Sequence, residues 1–427
     1  MLLFSIVLTY LTSGQIATSP TMKIRYRWLL TSVTGQILIL GLFKYLGFFN
    51  GVMSGIYALL QRDQWVDLPS LVLPLGISFF TFQSMGYVFD VYYKIRKPET
   101  HLGKYALFVS FFPQIQSGPI GRAKEMMPQW TLVPTVHFEK WRWAMHLFVW
   151  GLLKKFVVAD RLGNYVDDAY GSMDSLGTWV WLFILALYTV QLYADFSAYS
   201  DMAIASAAML GIHIPDNFDF PYKANNVTDF WRRWHLSLSG WLRDYIYTPL
   251  LFSKKKWKRW AVVYAIAVTF VICGIWHGAN MTFVWFGIVQ ALILIFELFT
   301  KDQRSLWAKK WGSLYHWGSV FLTFWVISFC FILFRADDMQ QVQGIMSDLF
   351  QLQPALLMQY LSEKNASRVF GIILLVVMFL IFDRRLDTLN KQVDMRLRKS
   401  AFLMALMLVG LMVFGVFGKN DFIYFQF

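Results

Sequence analysis

Charged residues and cysteines are scarce in this sequence. Of its 427 residues, 15% are Asp, Glu, Lys or Arg, and two are Cys. A soluble domain carries about 25% charged residues, because a surface in water needs them. Cys273 and Cys330 both lie in apolar runs, which fits neither a disulfide framework nor a zinc site. The composition therefore argues against an ordinary water-soluble enzyme.

Several motifs of soluble enzymes are missing as well. The histidines show no His-x-x-x-His or Glu-x-x-His spacing, so no metal site is predicted. The sequence has no Gly-x-Ser-x-Gly elbow and no P-loop. It also lacks a linker rich in Pro, Gly or Ser and a detectable internal repeat, which many transporters have.

Apolar residues are abundant instead, at 57% of the chain, with 19% aromatic. A membrane-spanning helix needs roughly 20 apolar residues. The pattern predicts an all-α polytopic membrane protein with about ten spanning or half-spanning helices. The predicted spans are residues 28–49, 71–93, 143–159, 179–199, 260–278, 282–299, 317–334, 369–382 and 401–417. Two shorter stretches, 105–120 and 201–214, are predicted to re-enter the bundle.

The net charge of +13 is explained by basic loops rather than by a nucleic-acid partner, since no nucleic-acid module is recognisable. The basic clusters lie at 254–259, 301–310 and 384–399 and are predicted to be cytoplasmic. This orientation places residues 422–427 outside. Residues 1–11 are apolar but short and lack a preceding basic region, so they make a poor signal peptide. We expect them to be the remainder of a longer membrane segment, with an upstream helix or two absent.

The first candidate for chemistry is the stretch 229–247, which includes Trp-Arg-Arg-Trp-His. Its apolar residues recur in steps of three and four, which predicts one amphipathic helix. On that helix Arg232, Ser239 and Arg243 share the polar face, and His235 lies at its border. The alternative is an interfacial helix whose arginines reach lipid phosphates.

The second candidate is the stretch 274–280, Gly-Ile-Trp-His-Gly-Ala-Asn. His277 is tied to a strongly hydrophobic span, where an ionisable side chain is expensive and suggests function. It lies roughly 26 Å along its helix from the cytoplasmic end, in the outer half of the membrane. The alternative is a structural histidine bonded to a carbonyl group.

These stretches, in this order and about forty residues apart, resemble the bacterial polysaccharide-modifying branch of the membrane-bound O-acyltransferase (MBOAT) family. Further resemblance lies in residues 73–83, 111–119, 191–201, 217–222 and 422–427. The sequence departs from the branch at its N-terminus and after Pro249, where Leu-Leu-Phe-Ser-Lys-Lys-Lys replaces a glycine pair. The resemblance implies one MBOAT domain over residues 1–427, with helices around a central tunnel and an aromatic tail at 420–427.

The resemblance also implies acyl transfer in the bacterial inner membrane. An acyl thioester, acetyl-CoA or an acyl carrier protein, would be the cytoplasmic donor, as a substrate and not a bound cofactor. His277 matches the family histidine and would be the general base, and His235 matches the second histidine of the branch. Donor or substrate binding would fall to Arg232, Arg233, Ser239, Arg243, Trp276 and Asn280. The arginines fit equally well as anchors to lipid phosphates.

The acceptor would be a cell-wall or exported polysaccharide, reached through an extracytoplasmic SGNH-type acyltransferase partner. Tyr424 carries the only hydroxyl of the predicted outer tail, so it is a candidate acyl-accepting nucleophile. The alternative is a tail whose aromatics anchor at the membrane interface.

Three alternatives stay open at this point. D-alanyl transfer to teichoic acid is the alternative within the enzyme class. The second is a transporter or flippase of a lipid or acyl carrier. The missing repeats and the missing intramembrane acid pairs count against it. A scaffold that docks an extracytoplasmic enzyme is the third.

Overall fold

The computed structural model describes residues 1–60, 71, 73–131, 137–172, 175–391, 397–418 and 421–423. Within these residues the regular structure is helical and contains no strand, which confirms the all-α prediction. Tyr424 lies outside the described residues, so its predicted role stays a prediction.

Nineteen α-helices follow one another along the described chain. The first part contains α1 (Leu2–Thr18), α2 (Met22–Leu40), α3 (Leu46–Leu59), α4 (Ile77–Tyr92), α5 (Leu102–Ser110) and α6 (Ala123–Met126). The middle contains α7 (Phe138–Leu153), α8 (Asp160–Tyr170), α9 (Gly177–Met209), α10 (Val227–Trp231), α11 (Leu236–Leu242) and α12 (Thr248–Ser253). The last part contains α13 (Arg259–His277), α14 (Met281–Cys330), α15 (Ile332–Arg335), α16 (Met339–Asp348), α17 (Pro354–Glu363), α18 (Ala366–Lys391) and α19 (Leu397–Phe414).

Five helical segments of the described chain are long and apolar enough to cross a membrane. They are Met22–Ser54, Gly177–Met209, Arg259–His277, Met281–Arg335 and Ala366–Asp383. Two shorter apolar helices, Leu2–Thr18 and Ser400–Phe414, accompany them. The fold is therefore that of a membrane-embedded helical bundle, and the helix that carries His277 begins and ends within one residue of its predicted bounds.

Two predicted breaks between helical elements are absent from the structure, one in α9 and one in α14. Residues 201–214 do not form a separate re-entrant element, because α9 continues without a break as far as Met209. The basic cluster 301–310 is not a loop, because α14 stays helical through it and breaks at Gly312, whose φ is +49°. A long amphipathic extension satisfies the backbone hydrogen bonds that a loop would leave open.

The helices α13 and α14 approach each other closely through glycines. A Cβ atom on Gly274 would clash with the carbonyl oxygen of Phe283 and approach the Cα of Gly287 at 3.0 Å. Small residues of this kind let helix backbones pack at short range in a membrane. The contact fixes the last turn of α13, which ends at His277, against α14.

Charged side chains are buried inside the bundle, contrary to the sequence-based expectation. On α9, Asp195 pairs with Lys155 at 3.0 Å and Asp201 pairs with Lys154 at 3.0 Å. Both lysines belong to one π-helical turn, Lys154–Ala159, that follows α7. The missing acid pairs thus no longer count against a transporter.

Candidate active site

His277 is the last residue of α13 and is buried in an aromatic shell. Its ring centroid lies 4.9 Å from that of Trp276, 5.1 Å from that of Phe334 and 6.2 Å from that of Phe286. The next residue, Gly278, has extended backbone and ends the helix. The imidazole is therefore held in a mostly apolar environment at a helix end.

Lys44 caps this helix end from another part of the chain. It lies in the π-helical turn Gly41–Tyr45, and its Nζ donates to the carbonyl oxygens of Trp276 at 2.6 Å and His277 at 3.0 Å. The last carbonyls of a helix lack intrahelical partners and carry partial negative charge, which a cation complements. The cap thus fixes the backbone that carries the histidine. Sequence analysis missed Lys44, although a lysine inside the predicted span 28–49 was a visible signal.

His235 is fully buried, and the chain bends sharply at it. Its φ is +47°, and it separates α10 from α11. The prediction of one amphipathic helix over 229–247 is therefore wrong, and so is the placement of His235 at a polar border. Steps of three and four persist across the break although Phe230 and Trp231 of α10 pack in one hydrophobic cluster and Leu238 and Trp241 of α11 pack in another.

Asn217 sets the tautomer of His235. Its Oδ1 accepts hydrogen bonds from the backbone N–H of Ser237 at 3.3 Å and the Ser237 hydroxyl at 2.9 Å. Because a backbone N–H can only donate, this amide atom is the oxygen. His235 Nδ1, 3.0 Å from the same oxygen, is therefore the protonated nitrogen. In the neutral ring, Nε2 is then the basic nitrogen.

The two histidines meet around one indole. The ring of Trp276 lies 6.2 Å from His235 and 4.9 Å from His277 between centroids. Phe79 lies 5.7 Å from the same indole and 6.4 Å from His235. The structure thus brings together the two histidines that the sequence singled out, and it places Trp276 between them as packing.

A large cavity of about 1070 Å³ opens on one side of this cluster, and we name it the basic cavity. Four cations line it: Arg232, Arg243, Lys301 and Arg304. Ser239 lines it as well, and along α13 its wall reaches Thr269 and Cys273. Three of the predicted substrate-binding residues thus share one cavity, although they do not share one helix.

A second cavity, of about 610 Å³, opens on the other side, and we name it the tail cavity. Gly278, Ala279 and Asn280 line it, directly after His277. Asp421 and Ile423, from the end of the described chain, also line it. Cys273 and Gly278 are separated by about 7.5 Å of helix rise. His277 therefore lies on the chain between Cys273, which lines the basic cavity, and Gly278, which lines the tail cavity.

The other predicted site residues are placed differently. Arg233 does not line the basic cavity and instead forms ion pairs with Asp219 at 3.3 Å and Asp229 at 3.1 Å. Asn280 accepts the backbone N–H of Thr282 and so caps α14. No group of three His, Cys, Asp or Glu side chains in the described part of the chain could hold a metal ion.

Fold and site together define a multi-pass membrane protein whose buried His277 lies on the chain between residues that line two cavities. The chain matches the profile of MBOAT, the membrane-bound O-acyltransferase family, over residues 98–336. It is 34% identical over 350 residues to the probable alginate O-acetylase AlgI of Pseudomonas aeruginosa, covering 81% of this chain and 64% of that protein. The chain belongs to the membrane-bound O-acyltransferase family.

Two further relatives show how wide the similarity is. The peptidoglycan O-acetyltransferase of Helicobacter pylori is 32% identical over 385 residues, covering 82% of this chain and 70% of that protein. The teichoic acid D-alanyltransferase of Bacillus subtilis is 29% identical over 299 residues, covering 66% of this chain and 74% of that protein. The chain thus spans about two thirds of the length of the curated relatives it matches.

Proposed function

We propose that the chain is an O-acyltransferase that moves an acetyl group from a cytoplasmic thioester across the membrane, for O-acetylation of a cell-wall or exported polysaccharide. One observation carries the proposal: on either side of His277 along the chain, Cys273 lines a cavity rich in cations and Gly278 lines a cavity that Asp421 and Ile423 also line. The side with the basic cavity is cytoplasmic in this proposal, because Lys301 and Arg304 belong to a basic cluster.

The donor enters the basic cavity as a substrate. Arg232, Arg243 and Lys301 attract the phosphates of coenzyme A, or the phosphopantetheine of an acyl carrier protein. The thin thioester arm then follows α13 past Thr269 and Cys273 towards His277. The aromatic shell around His277 excludes bulk water, so the thioester is protected from hydrolysis.

His277 acts as general base for the transfer step. Its neutral imidazole takes the proton of an acceptor hydroxyl while the hydroxyl oxygen bonds to the thioester carbonyl carbon. The carbon–sulfur bond then breaks, and the imidazolium returns the proton to the leaving thiolate. The products are an ester on the acceptor side and a free thiol on the donor side.

His235 assists from the other face of the Trp276 cluster. Asn217 accepts from its Nδ1–H, so Nε2 carries the lone pair of the neutral ring. Burial lowers the pKa of the His235 imidazole to about 3, so this ring stays neutral at physiological pH. A neutral ring can orient the donor without adding a charge to the apolar site.

The acceptor in this proposal is the phenol of Tyr424. Tyr424 follows Ile423 directly in the sequence, and Ile423 lines the tail cavity together with Gly278, the residue after His277. The tyrosyl ester then passes its acyl group to an extracytoplasmic SGNH-type partner, which acylates the polymer. An ester relay separates the cytoplasmic thioester from the external polymer without opening a continuous pore.

D-alanyl transfer is the second candidate, and the similarity to a teichoic acid D-alanyltransferase favours it. Acetyl transfer is preferred because the relatives named for O-acetylation are more similar, at 32–34% identity against 29%. Parallel assays with acetyl-CoA and with a D-alanyl carrier protein distinguish the two.

The test is acyl transfer by the purified full chain in lipid nanodiscs, supplied with radiolabelled acetyl-CoA, the SGNH partner and polymer. His277→Gln should lose about 10²–10⁴-fold in rate, the usual contribution of a general base. His146→Gln is the matched control, since both histidines are 4% exposed and, among the described residues, His146 bonds to backbone carbonyls and the Ser400 hydroxyl. A near-normal rate in His277→Gln would leave a transporter or a scaffold as the better account.

A further inference from the structure

The end of the described chain is fastened to the wall of the tail cavity by three consecutive residues. The Ile423 backbone N–H donates to Asp195 Oδ2 at 2.8 Å. The Nζ of Lys155 donates to the Asp421 carbonyl oxygen at 3.1 Å. The Phe422 ring lies over the same ammonium, 4.5 Å from nitrogen to centroid. One lysine and one aspartate therefore contact every residue of the segment 421–423.

The fastening group is itself rigid and buried. Lys155 Nζ lies 3.0 Å from Asp195 Oδ1 and 2.8 Å from Asp160 Oδ1, and these side chains are 2–4% exposed. A buried ion pair of this kind has a fixed geometry, because moving either charge leaves the other unpaired. Asp195 offers one carboxylate oxygen to the lysine and the other to the tail. Asp195 therefore holds the Ile423 backbone at a fixed position relative to α9.

The chain before this segment follows the same surface. The Val416 N–H donates to the Phe156 carbonyl oxygen at 2.9 Å, and Arg161 donates to the Phe414 carbonyl oxygen at 2.6 Å. Phe156 belongs to the π-helical turn Lys154–Ala159, which also carries Lys155. Inserted π turns often occur at functional sites because they re-aim a side chain. Here the turn brings a backbone acceptor and a cation to the same stretch of tail.

We propose that Lys155 and Asp195 are positioning residues that clasp the segment 421–423 in the tail cavity and so present the acyl-accepting end of the chain to His277. The clasp rests on the proposed function in one respect, because it assumes that this end of the chain receives the acyl group. Its physical role is to lower the entropic cost of the encounter, since a reacting group held in place meets its partner more often.

The neighbouring lysine provides a matched control. Lys154 is 5% exposed and pairs with Asp201 at 3.0 Å and Asp383 at 2.7 Å, so it resembles Lys155 in burial and in charge partners. Among the described residues it has no polar contact with the segment 421–423. Lys154→Met and Lys155→Met therefore remove the same kind of group, and only the second removes a tail contact.

The first experiment measures hydrogen–deuterium exchange of the C-terminal peptide by mass spectrometry, in the full chain in nanodiscs. Lys155→Met and Asp195→Ala should exchange about tenfold faster in residues 421–423, because local opening then costs less. Lys154→Met should exchange at the wild-type rate. Wild-type exchange in both clasp variants would overturn the clasp, whether or not the protein transfers acyl groups.

The second experiment measures steady-state acetyl transfer by the same variants. Lys155→Met should lower kcat about 10-fold or more while the KM for acetyl-CoA stays constant, because the donor binds in the other cavity. Lys155→Arg should restore part of the loss. If Lys155→Met fails to fold, Ile423→Pro deletes the tail N–H and leaves the ion pair intact. A Lys154→Met loss as large as that of Lys155→Met would show a structural role instead.

A double variant separates the clasp from the proposed relay. If the clasp acts through Tyr424, the double variant with Lys155→Met and Tyr424→Phe should transfer acyl groups at the same residual rate as Tyr424→Phe alone. A further loss of rate in the double variant would contradict the claim that Lys155 positions Tyr424. A normal rate in Tyr424→Phe alone would refute the relay, while the exchange measurement would still decide whether the clasp exists.

Discussion

The two cavities beside His277 differ in how their charges are compensated. The basic cavity is lined by four cations and one acid, Glu297, and the Glu297 carboxylate is occupied by the N–H groups of Val227 and Thr228. Arg243 is paired with Asp244 at 2.9 Å, whereas Arg232, Lys301 and Arg304 have no ion pair with an acid among the described residues. Such a surface is suited to an anion that comes from outside the chain.

The tail cavity has three cations and five acids on its wall, and its cations are engaged within the protein. Lys44 bonds to helix-end carbonyls, Lys155 to two carboxylates and Arg335 to Asp167 at 2.9 Å. This wall is suited to holding parts of its own chain in place. On the proposed function, the difference means that one fold would build a site for a diffusing donor and a site for a tethered acceptor around one histidine.

The largest effect is expected on the tethered side. Tyr424→Phe keeps the ring and removes the hydroxyl, so transfer to polymer should fall at least about 10²-fold, as for loss of a catalytic nucleophile. Binding of acetyl-CoA, measured by isothermal titration calorimetry, should not change. Polymer acetylation at the wild-type rate would show that the tail is a membrane anchor.

The second-largest effect is expected from removing the Lys44 cap on the last turn of α13. Lys44→Met removes the donor to the Trp276 and His277 carbonyls and should lower kcat by roughly 10–100-fold, since small displacements of a catalytic group are costly. Tyr45→Phe is the control from the same π turn, because its hydroxyl donates to a different carbonyl of the last turn of α13, that of Ile275 at 2.5 Å. An equal loss in both variants would mean that the turn, and not the ammonium, matters.

On the donor side the effect should appear in KM. Arg232→Ala or Arg243→Ala should each raise the KM for acetyl-CoA by about tenfold, the cost of one hydrogen bond to a charged group, with kcat nearly unchanged. Arg233→Ala is the matched control from the same motif, because its partners are Asp219 and Asp229. If Arg233→Ala raises KM as much, the arginines act together as a membrane anchor.

The smallest expected effect is a loss of folding stability at low pH caused by protonation of His235 in the unfolded chain. Its folded pKa of about 3 lies below the ordinary value of 6.5, so below pH 6.5 the unfolded chain binds more protons. Stability should therefore fall as pH decreases from 6.5, by about 2 kcal/mol at pH 5. His235→Gln should lack this component in thermal unfolding curves at pH 5 and pH 8. The same pH dependence in both proteins would contradict the burial of a neutral ring.

Sequence periodicity predicted the parts of this molecule that depend on local composition. The span 260–278 corresponds to α13 because an apolar run bounded by basic residues and glycine satisfies its own backbone. The sequence also singled out His277, since an ionisable group in an apolar span stands out against its neighbours, and His235, because it belongs to the Trp-Arg-Arg-Trp-His stretch.

The remaining features depend on residues far apart in the chain. The bend at His235 is supported by Asn217, and the cap on α13 comes from Lys44, more than 230 residues away. Lys44, Lys155 and Asp195 were averaged into apolar spans, because a window over roughly 20 residues tolerates one charge. The pairing of two cavities with different charge on their walls is a tertiary property that no local pattern contains.

The most direct test of the central claim is a cryo-EM structure of the full chain with a thioether analogue of acetyl-CoA that cannot transfer its acyl group. The account predicts coenzyme A phosphates beside Arg232, Arg243, Lys301 and Arg304, and the acyl carbonyl about 3–3.5 Å from the His277 imidazole, the distance of reacting groups. An analogue bound in the tail cavity, or an acyl group that lies away from His277, would contradict it.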